Sequence, residues 1–108
     1  MTIYSNPEKY GLRTIGEIDW TDELYEFDLT VVWITPYGVL YWGNDTGCSC
    51  PEPFESFSLS DLSTGTFHDL AEHLNARAKE ANRDVQVVEL LDRVRNYTRG
   101  SSEVDSPQ

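Results

Sequence analysis

Positive charge is what this sequence lacks first. Between residues 14 and 76 there is no lysine and no arginine, while Glu17, Asp19, Asp22, Glu23, Glu26, Asp28, Asp45, Glu52, Glu55, Asp61, Asp69 and Glu72 all fall there. A one-sided negative field repels phosphate backbones and anionic membrane surfaces, which excludes direct nucleic-acid and membrane binding, and it attracts basic partners or cations. Basic residues gather later, at Arg77, Lys79, Arg83, Arg93, Arg95 and Arg99, so the molecule is expected to be electrically lopsided. Long hydrophobic runs are missing too. No apolar stretch approaches the ~20 residues needed to cross a bilayer. The opening MTIYSNPEKYG has no basic region followed by an apolar run, as a secretory signal would. A cytoplasmic setting is expected. Cysteine is scarce, with only Cys48 and Cys50. In a reducing compartment these read as thiols or ligands, since a bridge between such close neighbours would close a strained ring. Catalytic patterns are absent as well: no nucleophile elbow with Ser/His/Asp partners, no glycine-rich phosphate loop and no His-Glu-x-x-His helix. The carboxylates of residues 17–28 alternate along a strand with no apolar pocket in view, which reads as a solvated face rather than an acid/base pair. The expectation is a non-enzyme.

What is present suffices for one domain. The 108 residues are 39% hydrophobic and 12% aromatic, too apolar for a disordered chain even at a net charge of −11. Residues 1–11 read as a flexible N-terminus, 12–98 as the folded domain and 99–108 as a disordered tail. Residues 12–20, LRTIGEIDW, alternate loosely and read as a strand. After the polar turn TDEL, the run YEFDLTVVWIT places Tyr25, Phe27, Leu29, Val31 and Trp33 on one face. The other face, Glu26, Asp28, Thr30, Val32 and Ile34, starts charged and ends apolar, the pattern of a central strand whose far end is covered on both sides. TPYG turns the chain into VLYWGN and so completes a hairpin. From residue 45 to about 60 no strand or helix pattern is legible. Thr66 and Asp69 then form a capping-box pair ahead of a helix over 67–82, with Phe67, Leu70, Ala71, Leu74, Ala78 and Ala81 as its buried stripe. A second helix over 84–97 presents Val87, Val88, Leu91 and Val94. The expected fold is α+β: a three-stranded antiparallel meander packed against two C-terminal helices in two layers.

The chemistry to be explained lies in residues 41–57, YWGNDTGCSCPEPFESF. Cys48 and Cys50 could offer two thiolates to a metal, with Asp45 and His68 as weak candidates to complete the set. His68 and His73 are five apart, about 140° around a helix, and cannot share one ion. Both histidines read as solvated positions with acidic neighbours Glu72 and Asp69 four residues away. A reactive thiol needs a nearby cation or helix N-terminus, and no Lys or Arg is close in sequence. The alternative is a tight turn of small residues with inert thiols. No cofactor is expected.

The same residues carry a resemblance. Trp42, Asp45, Gly47, Cys48, Ser49, Cys50, Pro51, Pro53, Phe54 and Glu55 form a segment similar to one in small accessory proteins of actinobacterial viruses, found also in actinobacterial genomes. With YEFDLTVVW upstream and LSDL downstream, the likeness covers about residues 23–97. The resemblance implies a bacteriophage accessory protein in the host-cell cytoplasm with a two-layer α+β body, and it carries no activity. The functional expectation is a host-protein interaction module, monomer or homodimer, that meets a basic partner surface through an aromatic loop and an acidic face. Its candidate residues are Trp42, Asp45, Cys48, Cys50, Phe54, Glu55, Glu23 and Glu26. Two alternatives stay open, a metal-binding or thiol-dependent module on Cys48 and Cys50, and an acidic DNA mimic that occupies a nucleic-acid-binding host protein.

Overall fold

The computed structural model describes residues 2–23, 25–48 and 52–105, with the backbone alone at 48 and at 98–105. Strands β1 (Arg13–Asp19), β2 (Glu26–Ile34), β3 (Leu40–Cys48) and β4 (Ser63–Gly65) form one antiparallel sheet in the order β1-β2-β3-β4. Helices α1 (Phe67–Ala81) and α2 (Asp84–Asp105) follow. The chain is α+β, as the periodicity predicts, and β2 is a central strand. Its residues Val32 and Ile34 face the helices with Ile15, Ile18, Leu70, Leu74, Val87 and Val94. Leu29, Val31 and Trp33 face the other way. That second face is covered by irregular chain: Ile3, Leu12, Phe54 and Leu62 are buried on it.

Four features differ from the sequence reading. The sheet has four strands among the described residues, because Ser63–Gly65 pairs with β3 through Leu40↔Gly65, Tyr41↔Thr64 and Trp42↔Ser63. All three β4 residues are exposed and none is apolar, so the strand leaves no hydrophobic pattern to read. β3 also runs on to Cys48, past the point where composition turned to glycine and polar residues. The N-terminal half of β2 supplies the ladder there, and the Phe27 ring packs over Gly47, whose added Cβ would lie 3.0 Å from it. The N-terminal segment, where no element was legible, packs against the sheet. Ile3 is wholly buried and a 3₁₀ turn at Pro7–Tyr10 ends at Gly11 (φ +74), because the second sheet face has no helix to cover it. Finally, α2 continues beyond Tyr97 to Asp105, and its buried residues include Leu90, while Val88 is 65% exposed.

The loose alternation of β1 has a cause. Ile15 is the extra residue of a bulge between Thr14 and Gly16, and this lets Ile15 and Ile18 face the helices together although they are three apart. The Arg93 guanidinium donates to the Ile15 carbonyl at 3.4 Å. A side chain at Gly16 would meet Leu90 Cδ1 at 2.8 Å, so its absence lets α2 lie close to the sheet edge. Between β2 and β3 the turn closes as expected, with Gly38 (φ +85) donating to the Thr35 carbonyl. The Thr66–Asp69 capping box is formed in full, and Asn82 in the left-handed region ends α1.

Candidate interaction surface at the acidic end of the sheet

Antiparallel register brings the two sequence candidates together. Glu26 is opposite Cys48, so the β1–β2 connection and the chain leaving β3 emerge at the same end of the sheet. The carboxylates there are sorted by partner. Asp19 accepts backbone N–H bonds from Thr21 and Asp28. Asp22 pairs with Arg83 at 2.7 Å and Asp28 with Arg77 at 2.8 Å. Arg77 also lies 5.0 Å over the Trp20 ring. Glu17 accepts from the Tyr4 hydroxyl at 2.8 Å, and burial together with that carboxylate pushes the Tyr4 phenol up to about 12. The late arginines therefore fold back onto the acidic hairpin, and the lopsided field expected from the sequence is partly cancelled. Glu23 and Glu26 remain exposed. Between them stands Tyr25, 80% exposed at φ +65. A shallow cavity of about 360 Å³ opens beside them, lined by Thr21, Glu26, Phe27, Asp28, Thr46 and Gly47.

The aromatic loop has a different role from the one expected. Trp42 is 5% exposed and packs with the helix-side core, and Phe54 is fully buried on the opposite face. Neither can serve as a surface anchor, because each is needed to fill the core on its own side of the sheet. The Phe54 ring meets Trp33 edge-on at 5.3 Å, Phe57 at 4.7 Å and Tyr4 at 6.2 Å. Gly43 makes the room: a Cβ there would lie 3.2 Å from Phe54 Cε1 and 2.8 Å from Leu62 Cδ2. Asp45 holds the loop shut, with one carboxylate oxygen accepting the Phe54 N–H at 2.8 Å and the other the Thr46 N–H at 3.0 Å. That bond helps to keep Phe54 at φ +62, an unfavourable value for an aromatic residue. Gly43, Asp45 and Phe54 of the quoted segment are thus explained as a plug, its seat and its latch, Trp42 as a core residue on the helix side, and Gly47 as the position over which the Phe27 ring packs. Glu55 is exposed, and Cys50 and the Cys48 side chain lie outside the described residues.

A family model for a domain of unknown function, DUF7574, matches residues 1–103. The chain belongs to the DUF7574 family. No curated protein and no solved structure matches it. The match spans the whole sheet, α1 and nearly all of α2, so the acidic end and the Phe54 plug are parts of the DUF7574 domain. Among the described residues no helix is long and apolar enough to cross a membrane.

Of the weak metal set in this DUF7574 chain, only the Asp45 and His68 side chains fall among the described residues, and each has another partner. His68 is exposed and pairs with Glu72 at 3.1 Å, as its spacing predicts, while the Asp45 carboxylate holds backbone N–H groups. Among the described residues no cluster of three or more ligating side chains occurs. His73 differs from its expected solvated position. It is partly buried, its ring centroid is 6.5 Å from that of Trp42, and Nε2 is 2.9 Å from Asn44 Nδ2. Burial, and secondarily the Arg77 charge, lowers its pKa. The helical spacing from Leu70 to His73, Leu74, Arg77 and Ala78 carried the signal for both residues, since these positions share one face.

Proposed function

We propose that this DUF7574 domain is a small non-enzymatic protein-binding module that engages a basic surface on a host-cell protein through Glu23, Tyr25 and Glu26. The observation that carries the reading is Tyr25. An exposed aromatic in the left-handed region costs on the order of 1–3 kcal/mol, and the Tyr25 ring packs into neither core cluster of the described residues. Such a cost is understandable where the ring is an anchor for a partner, because tyrosine is enriched at binding hot spots. Glu23 and Glu26 flank it, exposed and with no ion pair among the described residues, whereas Asp22 and Asp28 are already matched by arginines within the chain. The resemblance of residues 42–55 to actinobacteriophage accessory proteins supplies the host-cell setting. Because Trp42 and Phe54 are core residues, the reading places the contact on the β1–β2 tip and not on the aromatic loop.

The test is affinity co-purification from an actinobacterial host at low and high salt, followed by the same experiment with Glu23→Lys/Glu26→Lys and with Tyr25→Ser. Circular dichroism checks that both variants are folded. A partner seen with the parent should be lost or sharply reduced with each variant, and weakened by salt in the parent. A partner retained undiminished by both variants at either salt would refute this surface.

A further inference from the structure

Beneath α1 runs an unbroken chain of polar side chains, Trp20, Thr30, Asn44 and His73, that crosses from the sheet to the helix. The Trp20 indole N–H donates to Thr30 Oγ1 at 2.8 Å, and the Thr30 hydroxyl donates to Asn44 Oδ1. Asn44 Nδ2 is 2.9 Å from His73 Nε2. Each direction follows from the one before it. An indole can only donate, so Thr30 must pass its single proton onward to an acceptor. The Asn44 oxygen accepts it, which turns the Asn44 NH₂ toward the histidine. Facing that NH₂ at 2.9 Å, His73 Nε2 is placed to accept, which puts the ring proton on Nδ1. Thr30 is wholly buried and Trp20 is 7% exposed, so no solvent can replace a lost link at that end.

We infer that His73 is an acid-sensitive latch that fastens α1 to the sheet only while Nε2 is unprotonated. A proton on Nε2 would set two donors against each other at 2.9 Å. The Asn44 oxygen, 3.3 Å from Nε2 and already holding Thr30, is the only other acceptor the contact offers. The charged groups around the ring do not offset this. On α1, Arg77 lies one turn beyond and opposes a second positive charge, while Asp69, one turn before, has its carboxylate committed to the Thr66 cap. On β2 the nearest carboxylate is Asp28, which is held by Arg77. β3 meets the ring with Asn44 and Trp42, and Trp20 follows the end of β1, none of which titrates in this range. The lowered histidine pKa agrees with the geometry, and its sign is definite. The unprotonated form is favoured in the folded state, so the stabilisation is present above the unfolded value near 6.5 and is lost as pH falls through the folded value. Arg77 follows His73 by one turn on the same helix. Loosening α1 therefore also loosens the Arg77 hold on Asp28 and Trp20 at the acidic end.

Two measurements test the latch, and neither depends on a binding partner. Long-range ¹H–¹⁵N spectra of the wild-type chain should show His73 as the Nδ1–H tautomer at pH 7.5, titrating with a midpoint below 6.5. An Nε2–H tautomer, or a midpoint at or above 6.5, would overturn the proposal. Thermal melting from pH 8 to pH 5 should then be compared with that of His73→Gln, which keeps an amide acceptor and cannot titrate. The wild type should lose Tm more steeply below pH 6.5 than the variant, and His68→Gln should track the wild type. Equal pH dependence in wild type and His73→Gln refutes the latch. If His73→Gln does not fold, the wild-type spectra decide alone.

Discussion

Replacing Phe54 by alanine separates a core plug from a binding surface. Phe54 is completely buried among Trp33, Phe57 and Tyr4, with the Gly43 backbone beneath it. Truncating a buried phenylalanine costs about 3–5 kcal/mol, and here the lower end is a floor, because three aromatic contacts worth about 0.5–1.5 kcal/mol each go with it. Alanine does not relieve the left-handed backbone, so no compensating gain is expected at φ +62. The loss compares with a total stability of roughly 5–15 kcal/mol for a domain of ordinary stability. Urea unfolding followed by tryptophan fluorescence should show the midpoint fall with little change in slope, and Tm should drop by roughly 12 °C or more. Asp45→Ala should give a smaller effect in the same direction, about 1–3 kcal/mol, because it leaves the Phe54 and Thr46 N–H groups without their acceptor. A Phe54→Ala protein within 1 kcal/mol of wild type would mean that the ring is not seated in the core, and the account of residues 42–57 would fail with it.

Further outcomes follow from the same contacts. Gly43→Ala should destabilise by about 1–3 kcal/mol in urea titration, since its Cβ would lie 2.8 Å from Leu62 and 3.2 Å from Phe54. Arg77→Ala should cost about 2 kcal/mol in the same assay, because it removes both the Asp28 ion pair and the stacking on Trp20, and a change within error would show that the helix does not clamp the hairpin. Glu23→Lys with Glu26→Lys should preserve or raise Tm at low salt by relieving a net charge of −11, and a clear fall would point to an unseen local role for these side chains. Cys48→Ser with Cys50→Ser should leave the fold intact at a cost of at most ~1–3 kcal/mol, whereas loss of folding that zinc reverses in the parent would revive a metal site.

The sequence by itself determined whatever repeats with a period or rests on local chemistry. The two faces of β2, the Thr35–Gly38 turn, the Thr66–Asp69 cap and the Leu70/Leu74/Ala78 stripe are consequences of neighbours within a few residues, and they hold in the structure. Its blind spots have physical causes as well. Three polar residues of β4 carry no pattern, and only the exposed edge of β3 gives them a ladder. The same aromatic composition suits an interface or a core, and burial alone assigns Trp42 and Phe54 to the core. The carboxylates of residues 17–28 look uniform in sequence, yet contacts between residues 49 and 61 positions apart match Asp28 and Asp22 to arginines and leave Glu23 and Glu26 outward. His73 and Asn44 become partners across 29 residues only because α1 crosses β3 at that point. Local periodicity decides which elements form, but pairing across the chain depends on packing, and packing decided which polar groups were left to meet something else.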